Sequence, residues 1–559
     1  MTNTQHWIDC IHAFLHDPPD KALDIKGHEN RTLRYLGAAL TINPENAREK
    51  AQKQADWLAS ALERLPLPKG TLRDVDGNER DPILEQPFNR IPREQLERCS
   101  PFSGARYEAH LLRGAQSLAE VHLAEREQAI RDIAQRHEDA RLRAYALWRL
   151  LPDRLPKVCS LPGDTRLQDH SIIDHADASM AACAALRGSG EASLLGFTLG
   201  PVQGFISQGR SLRDLWTGSW LIAWLSFRAM EPILERLGPW AIVSPGLRRN
   251  AFLDQWLGEQ GVLSDDGQAL QPSLPQLPRE LANLRTERRL NPLRWAGLPN
   301  AFTALVPTAE ADELSRAVQE AWQMAWRACC DGVHHALLQV WGDDDWDLYW
   351  QAQCDQVWDG RCQTLPVSGA GNSDDIIRCA KDLRQLYQDL FGDLKDNVVA
   401  ATRIAEALQA HKELPSYSHP EAQGSWQMAN ELLQRLLEAS KRCRRVPAHA
   451  PPDDQREKCA LMQGFAVMGP NGDTKANKRW WMDTAIEQIK PQWGATIRAN
   501  ERLSAPALVK RFAYPCFLRK RYFTAKDEFP DTREVAFSWW RDRIEQLAPD
   551  RWQTWIQLL

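Results

Sequence analysis

The sequence lacks several features that would sort it quickly. No run of about 18 apolar residues occurs anywhere in the 559, so no membrane-spanning helix is expected. The amino terminus shows no basic start, apolar stretch and small-residue cleavage site, so no leader is expected either. The twelve cysteines are scattered without a disulfide-framework spacing, and reduced thiols in a cytoplasm are the expectation. Cys329-Cys330, Cys354 and Cys362 also lack the short C-x2–4-C knuckle of a zinc site. There is no low-complexity tract. A formal net charge of −5 argues against a general nucleic-acid coat protein, while leaving local basic grooves open.

What is present is a long globular chain, enough for roughly three or four domains at about 100–200 residues each. Trp is abundant at 23, which suits cores and interdomain seams. Trp7, Ile8, Ile11, Phe14 and Leu15 fall at helical spacing and predict a helix over about 5–17, stopped by Pro18-Pro19. Helical patterns resume at 45–65, through 107–150, and again over DHSIIDHADASMAACAAL, which makes 1–187 a helical domain. The texture changes at Arg187-Gly-Ser-Gly-Glu. SLLGFTLG, AIVSPG and NAFTALVP read as strands, and FISQGRSLRDLWTGSWLIAWLSFRAM and AEADELSRAVQEAWQMAWRACC as helices. That order predicts a ferredoxin-like or palm-like α/β domain over 188–334. Residues 335–559 read as a mostly helical third domain, so the expected class is α+β and multidomain.

The chemistry concentrates at His16-Asp17. A bare pair of this kind is usually a surface imidazole beside a capping carboxylate. Here the same helical domain also carries Gln168-Asp169-His170-Ser171-Ile172-Ile173-Asp174-His175, where Asp169 or His170 lies one or two turns from Asp174 or His175. His28 adds another donor. Five or six nitrogen and oxygen donors without a Cys suit Mn²⁺, Mg²⁺, Fe²⁺ or Ni²⁺ better than structural Zn²⁺. The candidate ligands are His16, Asp17, His28, Asp169, His170 and His175. His16 and Asp17 are also the candidate catalytic residues, with Lys21 placed to neutralise a phosphate oxygen. The opening HDPPDK with Gly27-His28-Glu29 resembles an HD-type metal-dependent phosphohydrolase.

Two other stretches matter. GPVQGFISQGRSLRDLWTGSWLI follows a strand and opens a helix, but its glycines make neither G-x-G-x-x-G nor a Walker loop. It is read as a strand-to-helix turn with Arg213-Asp214 and Trp216 packing against the sheet. Basic stretches at 441–445, at Val509-Lys-Arg-Phe and at Leu518-Arg-Lys-Arg-Tyr-Phe read either as grips on a nucleic-acid backbone or as solvated helix faces.

HDPPDKAL with KGHENR, GDTRLQDHSIIDH, TLGPVQGFISQGRSLRDLWTGS, LPNAFTALVP and ERLSAPALVKR follow one another in this order. Together they resemble the large subunit of type III-B (Cmr-type) CRISPR effector complexes. The resemblance implies an HD nuclease domain cutting single-stranded DNA, a first palm-like domain and a helical domain that carries zinc. The implied partners are other effector subunits, guide RNA and target RNA. It also implies a second palm with a Gly-Gly-Asp-Asp motif making cyclic oligoadenylates. That motif is absent here, so no cyclase activity is expected from this chain alone, and a separately encoded palm becomes a candidate partner. The zinc cysteines are reduced to Cys459, with Met462 three residues on and Ser504 and Ala507 at the second pair. No structural zinc is expected, and packing by Met462 and Trp480-Trp481 would replace a metal worth about 10–16 kcal/mol. A non-catalytic scaffold is the alternative to the nuclease.

Overall fold

The computed structural model describes residues 4–23, 27–40, 122–161, 163, 170–263, 293, 297–342, 345–368, 373–391, 425–443, 456–470, 474–494 and 496–523, with scattered positions between 55 and 107. Among the described residues helices dominate, around a four-stranded antiparallel sheet, which makes the architecture α+β. No described helix is long and apolar enough to cross a membrane.

Among the described residues the longer helices of the amino-terminal part are α1 (Thr4–Leu15), α2 (His28–Leu40), α3 (Leu123–Ala134), α4 (Ala140–Arg154) and α5 (Ile172–Ala185). α1 buries Trp7, Cys10, Ile11, Phe14 and Leu15, one apolar stripe at i, i+3, i+4, i+7 and i+8. It packs on α5, α4 and α2. Asp139 caps α4 by accepting from Leu142 N–H at 3.0 Å. Ser171 opens α5 with a reciprocal capping box to Asp174. The part is not purely helical: two-residue strands pair at Leu72–Arg73 with Glu79–Arg80, and at Arg98–Cys99 with Arg106–Tyr107. Pairs this short carry no period-2 pattern to read.

The sheet contains β1 (Ala192–Gly200), β2 (Ile242–Ser244), β3 (Ala301–Pro307) and β4 (Asp359–Ser368), in the order β2-β3-β1-β4, all antiparallel. Between them run α6 (Leu212–Leu237), α7 (Ala251–Glu259) and α8 (Ala311–Trp341). Eight of the nine β1 residues are buried, so both faces of this central strand are covered. α9 (Ser373–Phe391) and α10 (Ser425–Arg442) follow, and α10 crosses β1 and β4. The crossing is close because Gly196 has no side chain: a Cβ there would stand 3.0 Å from Leu433 and Leu437.

Three sequence expectations change here. The boundary at 334–335 falls inside α8, whose buried stripe runs on through Val333, Leu337 and Trp341. The fourth strand, β4, lies past that boundary and pairs with β1 over its whole length, Leu195 opposite Thr364. The long helix expected from Phe205 is broken into Gln203–Ser207 and α6, because Ser211 takes the cap position and accepts from Asp214 N–H at 3.1 Å.

Two further helices, α11 (Thr474–Trp480) and α12 (Ala505–Ala513), complete the elements used below. α12 carries the Lys-Arg pair expected on a basic surface, and the pair is buried instead, Lys510 at 1% and Arg511 at 5% exposed. Lys510 Nζ donates to the carbonyls of Phe205, Ile206 and Gln208 at 2.5, 3.0 and 3.0 Å. Arg511 donates twice to Asp214, at 2.7 and 2.8 Å, and to Glu501 at 3.1 Å. These cations fasten the loop after β1. Arg213 stays exposed, and Trp216 packs on Tyr514 and Phe523 rather than on the sheet. At 519–521 the three cations are exposed while Tyr522 and Phe523 turn into Trp220, so the aromatics there serve the core. Arg444 and Arg445 lie outside the described residues.

Candidate metal centre

α1 must stop before Pro18, because a proline ring two residues further in would clash with the preceding turn. His16 and Asp17 are therefore presented at the helix end instead of along its side. His16 Nδ1 lies 2.7 Å from Ala13 O. A carbonyl only accepts, so Nδ1 carries the proton and Nε2 keeps its lone pair, the tautomer a metal ligand needs. The His16 carbonyl accepts from Thr32 Oγ1 at 2.7 Å, which ties the turn to α2.

α5 supplies the third donor. Its capping box starts the helix at Ser171, so His175 falls on the first turn of the buried face. Small residues along that face (Ala176, Ser179, Ala182) let α1 approach closely. One ligand atom each from His16, Asp17 and His175 then lie within 4.8 Å of one another. His16 Nε2 and His175 Nε2 stand 3.8 and 3.3 Å from the same Asp17 oxygen, Oδ2, with the two rings 5.4 Å apart. Lys21 also reaches Asp17 Oδ2. Burial alone would push the Asp17 carboxyl up. His16 when protonated, the hydrogen bond from His175 and the charge of Lys21 outweigh it, and hold the group well below the usual carboxylate range; a cation bound there would take the place of the imidazole Nε2 protons. Two imidazole nitrogens and an ionised carboxylate form a donor set that fits a divalent first-row cation.

The other expected ligands fare differently. His28 begins α2 and His170 precedes the α5 cap, and neither belongs to the gathered group. The His170 ring packs against Gly163, where a Cβ would come within 2.8 Å of it. Asp169 lies outside the described residues. Asp174 spends its carboxylate on the α5 cap.

Sequence reasoning missed Asp20. Fully buried, it accepts from Arg31 Nε at 2.9 Å, Tyr35 OH at 2.6 Å and Arg126 at 2.5 Å. It ties α2 and α3 to the turn that carries His16 and Asp17. The signal available was a second Asp directly after two prolines, which by itself reads as an ordinary turn residue.

The expected zinc position is also built differently. Cys459 Sγ accepts backbone N–H groups from Leu461, Met462 and Ser504 at 3.4, 3.3 and 3.2 Å. One thiol with Met462, Ser504 and Ala507 does not make a tetrahedral zinc set. The two turns are held by hydrogen bonds to one sulfur and by buried Met462, Met468 and Leu503.

Residues 194–331 match the family model "CRISPR-associated protein Cmr2, N-terminal". The Cmr subunit Cmr2 of Pyrococcus furiosus is 28% identical over 291 residues, 44% of this chain and 32% of that protein. Over these stretches the chain is similar to Cmr2. A second Cmr2, from Saccharolobus solfataricus, is 35% identical over 102 residues, 18% of this chain and 10% of the relative. Among solved structures, a type III-B Cmr-beta complex in its apo state contains a chain that matches with a TM-score of 0.54 at 18% identity. That match covers 97% of this chain and 55% of the other. The same kind of complex bound to cognate target RNA matches at 0.52. At such identity these structures speak for the fold. The chain spans about half the length of the chains it superposes on, and its aligned stretches about a third or less of the curated relatives.

Proposed function

We propose that this chain is the large subunit, or a core part of it, in a type III-B CRISPR effector complex. In this reading the amino-terminal helices form an HD-type domain that cleaves single-stranded DNA phosphodiesters, and the four-stranded sheet with α6 and α8 forms a palm-like domain. The partners are other effector subunits with guide and target RNA. The observation that carries the nuclease reading is the gathering of His16, Asp17 and His175 from helices 158 positions apart in sequence into one buried group.

His16, locked by Ala13 O, and His175 would hold the ion through nitrogen, and Asp17 through oxygen. A divalent ion bound there supplies an acidified water and charge neutralisation at a phosphodiester. Asp17 is ionised over the whole neutral range, so it needs no proton loss to act as a ligand. Lys21, at the partly open edge, is placed to meet a phosphate oxygen once its contact to Asp17 is shared with an ion. Asp20 has its acceptors filled and stays structural.

The test is the double variant His16→Ala/Asp17→Ala in the full chain. We expect Mn²⁺- or Ni²⁺-dependent cleavage of single-stranded DNA to fall at least a hundredfold, with metal content lost and the circular dichroism unchanged. Cleavage at the native rate would end the nuclease reading. Among the described residues the donor group holds three of the six expected ligands, Asp169 lying outside them, and the alternative kept beside the nuclease is a non-catalytic scaffold. Native protein purified with Mn²⁺ and found metal-free would select it.

A further inference from the structure

α5 lies between the metal centre and the sheet. One side meets α1, where His175 Nε2 stands 3.3 Å from Asp17 Oδ2. Another side packs on β3 and on the turn Pro239–Ala241 that leads into β2. Beyond His175 the buried side is lined by Ala176, Ser179, Ala182 and Ala185. Side chains this small interlock little with a neighbouring element, so they set the register of α5 only weakly.

An ion pair sets it instead. Two residues turn a helix by about 200°, so Asp177 faces away from His175. It accepts two bonds from Arg248, Nη1 to Oδ2 at 2.7 Å and Nη2 to Oδ1 at 2.6 Å. Such a two-bond fork fixes direction as well as distance. Arg248 is itself held: Nε donates to Trp148 O at 3.1 Å, and Cζ stands 4.5 Å from the centre of the Trp148 ring. Its loop, residues 245–250, joins β2 to α7. There Arg249 takes a φ of +65°, a left-handed turn that a non-glycine residue seldom adopts, and donates to Asp153 of α4 at 2.8 Å. Asn250 caps α7 by accepting from Phe252 N–H at 3.0 Å, and donates to Gly297 O at 3.1 Å. Consecutive arginines of one sheet loop thus grip α4 and α5, and the grip on α5 lies about half a turn from His175.

We propose that Arg248 is a positioning residue for the metal centre. Through Asp177 it fixes α5 so that His175 Nε2 meets the same divalent cation as His16 and Asp17. The inference rests on the metal reading above. Removing the fork leaves all three donors in the chain and frees the helix that carries one of them, so the loss falls on affinity for the ion.

The full chain is titrated with Mn²⁺, the free ion being read by electron paramagnetic resonance, with His16→Ala/Asp17→Ala as the blank. Arg248→Ala should bind about tenfold more weakly, the low end for losing a support of a metal ligand. Asp177→Ala should do the same, and the double variant should lose no more than either single change, because both act through one contact. Tyr145→Phe, which removes the bond from α4 to Leu234 O, is the structural control: it should melt earlier and bind Mn²⁺ as the native chain does. Native affinity in Arg248→Ala overturns the proposal. So does an equal loss in Tyr145→Phe, which would mark a general loosening, and so do summed losses in the double variant, which would give Arg248 a separate route. If the native chain takes up no more Mn²⁺ than the blank, the metal reading falls and the proposal with it. Native uptake with an unmoved Arg248→Ala removes the proposal alone. Should Arg248→Ala fail to fold, Arg248→Lys keeps the charge but not the fork: weaker Mn²⁺ binding than in Tyr145→Phe supports the role, and native binding removes it.

Discussion

Asp17 and Asp20 are both buried, three positions apart, and their surroundings give them opposite tasks. Around Asp17 the neighbours are two imidazoles, which can turn a lone pair toward a cation, and a lysine that shares the same carboxylate oxygen. Around Asp20 they are two guanidinium groups and a phenol, which fill the carboxylate with hydrogen bonds. Asp20→Ala leaves Arg31 and Arg126 buried without their counter-charge, and should cost about 3–5 kcal/mol. Tyr35→Phe removes one bond to a charged acceptor that keeps its others, and should cost about 1.5–3 kcal/mol. Urea midpoints of the two variants should fall in that order. Equal stability of Asp20→Ala and the native chain would mean that the network does not hold the turn.

At the scale of elements, α6 shows how burial of a whole helix sets the fate of its acids. Asp214 and Glu231 are both buried on it. Asp214 receives two bonds from the buried Arg511. Glu231 has Arg228, whose side chain is 39% exposed and so a weaker counter-charge. Burial therefore dominates and pushes Glu231 up to about 7, against the pull of Arg228. An acid raised in the folded state binds its proton more tightly there than in the unfolded chain. Its contribution to stability is then full below the unfolded pKa of about 4.3 and is lost as pH rises toward 7. Glu231→Gln, neutral at every pH, should flatten that part of the profile: thermal midpoints measured from pH 5 to 8 should decline less than those of the native chain. A variant profile parallel to the native one would place the titration elsewhere. The same helix shows what could be read in advance. Its periodic apolar face and its flanking strands were legible, as were α1 with its proline stop and α5, because each carries a local pattern. His16, Asp17 and His175 were legible as donor types. Asp20, and the Lys510 and Arg511 that reach back to residues 205–214, were not. Those partners are set by packing across some 15 to 300 residues, and a buried basic pair looks the same in sequence as a solvated one.

For the whole molecule, the sheet is where the parts become dependent on one another. The change of texture near 187, and the strand-and-helix order that closes with AEADELSRAVQEAWQMAWRACC, suggested a unit ending at 334. A fragment 1–334 would cut α8 seven residues before its end and remove β4, the partner of β1 along one edge. It would also remove Leu433 and Leu437 from above Gly196, and the Lys510 and Arg511 that satisfy three carbonyls and the buried Asp214. An exposed long edge beside an uncovered apolar face favours aggregation over folding. The amino-terminal helices would not escape, since Arg149 of α4 donates twice to Asp254 of α7, and Tyr145 OH donates to Leu234 O in α6. Fragment 1–334 should therefore be insoluble or lack a cooperative melt, while the full chain shows one. A soluble fragment with native near-ultraviolet circular dichroism and a sharp transition would show that the sheet closes without β4. In that case the contacts from beyond 334 are additions to a finished domain rather than parts of it.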